Sequence, residues 1–269
     1  MHNRTLSKYW LLFEYEIKQL TSYRMDAVMT IVTTLLYPLA LVIMWTAVYT
    51  FGGYDSISGF SLNGLIAYLF ILSAINTLVW SSEIAWMIQW DVKTGDIAMF
   101  LTRPVSYIKG MVVDSLSETL FYFTVAGIPL IAIVILVTGM HVTLYTILLF
   151  AIAISLTFLI GALMSTILGA LSAFITDISG IISTYSWAVA LVGGGVFPLS
   201  MFPSSVQGIL LALPFQFLFY VPDGIITGNI SLAMAWGTLA LGIVWAGILT
   251  VIAVLLWGSA KKRLDAVGV

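Results

Sequence analysis

The side chains that could carry chemistry are few. His2 and His141 are the only imidazoles in the 269 residues, and cysteine is absent. That removes thiolate nucleophiles, disulfides and cysteine-based metal sites. Neither HExxH nor GxSxG occurs, and no acidic cluster lies within an apolar run. A phosphate loop needs GxxxxGK followed by Ser or Thr, so that glycine backbone can cradle the phosphates beside a lysine. The only lysine followed by Ser or Thr is Lys93, and Val92 and Met87 stand where its glycines would have to be. The chain therefore has no such route to ATP hydrolysis, and it implies no cofactor or metal of its own.

Charge confines the remaining chemistry. Only 8% of residues are charged and 61% are hydrophobic, with a mean hydropathy of +1.10, whereas soluble domains carry about 25% charged residues. Between Thr119 and Ala260 only Asp177 and Asp223 carry charge, so the chain reads as membrane-embedded. A net charge of −2 offers no basic face to nucleic acid. Glu14, Glu16, Lys18, Arg24 and Asp26 interrupt any apolar core in the first 26 residues, which are expected to stay on the mature protein rather than act as a signal peptide.

The elements that must position these residues follow from length. A helix crossing ~30 Å of hydrocarbon needs about 20 largely apolar residues, and six stretches qualify, near 27–51, 62–81, 119–137, 143–173, 178–196 and 233–257. They predict an all-α, polytopic membrane protein with one transmembrane domain over 1–269. Pro38 and Pro129 lie inside spans and should bend them. Four basic residues precede the first span, three (Lys93, Arg103 and Lys109) lie between the second and third, and three (Lys261, Lys262 and Arg263) follow the sixth; together these are all ten. With six spans those segments share one side, so both termini and the second loop are expected to be cytoplasmic.

Within 1–26, Leu6, Trp10, Phe13, Ile17 and Leu20 recur on one helical face, which predicts an amphipathic helix in the membrane interface or one packed on another subunit. The loop 82–115 reads as two short helices. Ser81 or Ser82 can cap the first, Gly95 can end it, Asp96 can cap the second and Pro104 can stop it. A solvated loop rarely spends Trp86, Met87, Ile88, Trp90, Met99 and Phe100 on water, so this one should touch something. In the outer segment 197–232 four prolines interrupt short apolar runs, which suits a broken, re-entrant pair of helices. Asp223 is expected on that outer face, neutral for assembly.

Gly161, Ser165, Gly169 and Ala173 recur every fourth residue, a small-residue ridge that allows close helix approach, within the chain or across a dimer, unless it is chance composition. Asp177, at the turn between spans four and five, suits a cap on the fifth span's N-terminus, with a coupling-ion site as the alternative.

Taken together, this architecture resembles the permease subunit of an ABC-2 type ATP-binding-cassette transporter. The run from Gly95 through Leu101-Thr102-Arg103-Pro104-Val105-Ser106 is similar to the "G, apolar stretch, L-x-R-P-x-S" segment of one bacterial and archaeal branch. Phe202-Pro203, Leu213-Pro214-Phe215, Tyr220-Val221-Pro222 and Gly228 match the branch's pattern after span five. The resemblance implies a type V exporter-like transmembrane domain in a prokaryotic cytoplasmic membrane, without ATPase activity. Two such permeases, identical or paired, would join two separate ATPase subunits that bind ATP and Mg. It also implies a coupling helix around Glu83 to Thr94, making Glu83, Trp86, Gln89, Trp90 and Asp91 candidate ATPase contacts, with Arg103 holding the loop's shape. Family members mostly export drugs, peptides, lipids or glycans. The rival reading, an ion-coupled secondary transporter, should show inverted repeats and a buried ionisable relay.

Overall fold

The computed structural model describes residues 2–80, 83–101 and 106–267. In chain order its helices are α1 (His2–Ser22), α2 (Arg24–Gly52), α3 (Leu62–Trp80), α4 (Ile84–Thr94), α5 (Ile97–Leu101), α6 (Tyr107–Tyr122), α7 (Ile128–Thr138), α8 (Leu144–Ala170), α9 (Ser179–Val192), α10 (Ser204–Leu210), α11 (Tyr220–Ile226) and α12 (Leu232–Val267). A hairpin of two-residue strands, Ser56–Ile57 with Phe60–Ser61, joins α2 to α3.

Among the described residues five helical stretches are long and apolar enough to cross a membrane: Met25–Gly52, one that begins with α3 at Leu62, Tyr107–Thr138, Leu144–Ala173 and Leu232–Leu264. The expected span at 178–196 differs. It holds α9, 14 residues long and so roughly 21 Å at 1.5 Å per residue, short of the ~30 Å hydrocarbon core. Glycines end it early. Gly194 takes φ +91, a conformation that L side chains rarely adopt, and the Gly195 N–H reaches back to the Ala190 carbonyl. A second difference is at α6, which starts at Tyr107, inside the stretch expected as loop. Tyr107 is buried there, stacked on Trp257 of α12 with ring centres 5.4 Å apart.

Both internal prolines are accommodated within helices. Pro38 lies inside α2. Pro129 follows a π-helical turn, Phe123–Gly127, that links α6 to α7, and the Ile128 N–H donates to the Phe123 carbonyl. The missing proline N–H is the physical reason for a widened turn at this point.

The centre of the bundle is α8, which packs against α12, α4, α11 and α3. Leu149 and Ile160 from α8, Leu69 and Ile71 from α3 and Phe217 from the outer segment are almost wholly buried in the main core. A second cluster joins Ile84, Ile88, Ile97, Tyr107 and Leu264, and Arg263 lies over the Phe174 ring. α1 packs along α6, and Tyr9 accepts from the Ser106 N–H. The segments that hold the basic residues therefore meet at one end of the bundle, around the C-terminal end of α8.

Candidate functional site

A cavity of about 580 Å³ opens between α2, α3 and α9, within the size range of small-molecule sites. Polar residues recur in its wall at helical spacing. α2 contributes Thr30, Thr33, Thr34 and Tyr37; α3 contributes Ser73, Asn76 and Thr77; α9 contributes Ser183, Ser186, Trp187 and Ala190. On α2 and α9 the spacing is i, i+3, i+4, i+7, one face of a helix. That stripe was the signal in the sequence, obscured because Ser and Thr fit a membrane helix by bonding to their own backbone. Thr33 donates to the Met29 and Thr30 carbonyls at 3.0 Å, and Ser186 to the Ile182 carbonyl at 2.9 Å.

Opposite ends of the cavity are built differently. Gly195 and Phe219 line one part, where the backbone leaving α9 is pinned to its neighbours. Tyr37 of α2 donates to the Gly195 carbonyl at 3.1 Å and Tyr68 of α3 to the Gly194 carbonyl at 2.6 Å. A Cβ at Gly193 would come within 2.8 Å of the Phe215 carbonyl, so this crossing point admits no side chain. At the basic end the lining residues are Glu83, Trp86, Glu118 and Tyr122.

The candidate coupling residues fall on different sides of α4. Trp90 is 66% exposed, and Trp86, one turn earlier, is 37% exposed and lines the cavity. Glu83 is exposed beside it. Gln89 is turned inward and buried, donating to Asp177 Oδ1 at 3.0 Å. Asp91 accepts from the Tyr107 hydroxyl at 2.6 Å. Arg103 lies outside the described residues.

The small-residue positions of α8 and of the turn that follows it face α4 or its surroundings. Ser165 accepts from the Ala85 N–H at 2.8 Å. A Cβ on Gly169 would lie 2.6 Å from Ile88 Cδ1 and 3.2 Å from the Ala85 Cα, so only glycine allows this approach. Gly161 and Ser165 line a smaller cavity of about 90 Å³ beside Trp86, and Ala173 packs against the cluster around Ile84.

Asp177 ties α4 to α9. It accepts from the N–H of Ser179 at 2.9 Å and from the Ser179 hydroxyl, as well as from Gln89, and it pairs with Lys93 at 3.3 Å. Those Ser179 hydrogen bonds, with Lys93 beside them, hold its carboxyl well below the usual carboxylate range.

Asp223 corrects an expectation. Placed by sequence on the outer face, it is fully buried, and among the described residues neither carboxylate oxygen has a hydrogen-bond partner. The proline-broken segment folds back so that α11 packs against α8 and α3, carrying Asp223 inward.

Among the described residues no group of three or more His, Cys, Asp or Glu side chains could hold a metal ion. The model of a family described as "ABC-2 family transporter protein" matches residues 14–268, nearly the whole chain. No curated protein matches the sequence.

Proposed function

Because the chain belongs to the ABC-2 family of membrane transporter proteins, we propose that it is a permease subunit of an ATP-binding-cassette exporter, forming part of the substrate path and driven by a separate ATPase subunit. One observation carries the reading: α4 is at once cavity wall and exposed handle. Trp86 lines the cavity, and Trp90 is exposed one turn further along the same short helix. A partner that closes on ATP and Mg and grips this face would move the wall directly, and through Asp177 it would also pull on α9.

In this reading the basic end faces the cytoplasm of a prokaryotic cell and both termini lie there. α9 and the glycine turn after it make the fifth of six crossings, completed by the segment folded into the bundle. A second permease, identical or paired, covers the open side of the cavity along α2 and α9, where Trp187 is 77% exposed.

Replacing Trp86 and Trp90 together by Ala is the test. Losing an aromatic anchor typically costs ≥2 kcal/mol at an interface, so the variant should insert normally, copurify poorly with its ATPase and lose substrate-linked ATPase activity. Copurification at wild-type yield with normal transport would overturn the coupling assignment. Topology is checked by cysteines introduced singly into this cysteine-free chain. Impermeant label should reach Asp55→Cys and Ser231→Cys in intact cells, and Lys262→Cys only after permeabilisation.

A further inference from the structure

The cavity's lining is selective in charge and in surface. Five aromatic rings contribute to it, Tyr37, Trp86, Tyr122, Trp187 and Phe219, interleaved with hydroxyl groups. Among the described lining residues the only charges are Glu83 and Glu118, both acidic, and neither is ion-paired among the described residues. Further carboxylates lie within reach: Glu16 is close enough to act on Glu118, and Asp26 on Tyr122.

Each substrate class would fare differently here. An anion would enter against these carboxylates, with no cation among the described lining residues to meet it. A neutral hydrocarbon would leave the carboxylates without a counter-charge. A cation carrying apolar surface satisfies both parts of the wall, since its charge meets the carboxylates while aromatic faces attract the charge and cover the apolar body. We propose that the cavity takes amphipathic organic cations, with the charged centre held between Glu83 and Glu118 and the apolar body against Trp86, Tyr122 and Trp187. The proposal rests on reading the cavity as the substrate path.

The test uses tetraphenylphosphonium and tetraphenylborate, two ions of closely similar size and shape and opposite charge. The full-length chain, carrying Thr33→Cys or Ser183→Cys, is reconstituted in neutral phosphatidylcholine nanodiscs and reacted with a water-soluble maleimide. Both positions line the cavity, so both should label. The phosphonium should protect both and the borate neither. In a Glu83→Gln, Glu118→Gln double variant the phosphonium concentration for half-protection should rise at least about tenfold, while unprotected labelling of both cysteines at the normal rate shows that the cavity is still formed.

Three results would overturn the assignment while leaving the path reading intact: labelling that neither ion blocks, equal protection by the borate, or phosphonium protection unchanged in a double variant that labels normally. Failure of both cysteines to label would instead remove the path reading, and the cation assignment with it.

Discussion

Two helices of similar length and apolar character, α2 and α8, have opposite places in the bundle. Half of the apolar window of the α8 stretch is buried, against 11% of that of α2. Their polar residues are used in opposite ways as well. On α8, Thr157 donates to the Phe217 carbonyl of the outer segment at 2.7 Å, and Ser165 accepts from the backbone of α4. On α2, Thr33 bonds only to carbonyls of its own helix and lines the cavity. Thr157 and Ser165 on the central helix lock other elements in place, whereas Thr33 on the peripheral helix furnishes a surface.

That contrast breaks most easily at Gly169. Gly169→Leu on α8 should drive α4 off its seat, at a cost of about 1–3 kcal/mol or more from overpacking. Thermal unfolding in detergent should show a large fall in Tm, whereas Ile43→Leu on α2, where the side chain is 72% exposed, should leave Tm unchanged. A Gly169 variant as stable as the parent would mean that the α4–α8 seat is not a close contact.

A smaller effect is expected at Thr157. Thr157→Val keeps the shape but leaves the buried Phe217 carbonyl without its donor, a loss of about 1–3 kcal/mol. The matched change on α2, Thr33→Val, should fall within about 0.5 kcal/mol of the parent, as substitutions away from such networks do. Equal losses at the two positions would erase the distinction between locking and lining hydroxyls.

The smallest effect concerns the tie between α4 and α9. Asp177 is held below the usual carboxylate range in the folded chain, first by the Ser179 hydroxyl and N–H and then by Lys93. A group depressed in this way stabilises above its unfolded value and loses that stabilisation as pH falls through the folded one. The tie should therefore persist down to about pH 4, near the ordinary Asp value, and weaken only in stronger acid. Hydrogen exchange at the Ser179 amide, followed against pH, should show protection constant from neutral to that point. Asp177→Asn should speed exchange from neutral pH down to that point and remove the acid transition, and an unchanged transition in the variant would assign it to another group.

Much of the architecture was legible. Apolar runs marked five long helices because lipid rewards the same residues whatever their partner. Gly95 ended α4 as expected, in the left-handed conformation at φ +83. The end of α9 was harder to read. A run of 19 apolar and small residues from 178 to 196 has the length of a span, and only the backbone path at the three glycines, bonded to Tyr37 and Tyr68, turns it early. The cavity was written as polar stripes on α2, α3 and α9, yet no single stripe reveals that the three converge.

The sequence by itself determined that the chain lives in a membrane, that it lacks a phosphate loop, and that its basic residues cluster in three segments. These are properties of each residue or short run against water and lipid, and they need no neighbour. Tertiary structure decided that α8 is central and α2 peripheral, that Gln89 turns inward while Trp90 stays out, and that Asp223 is enclosed. Hydropathy has the same value for a side chain facing lipid as for one facing another helix, so only packing could separate them.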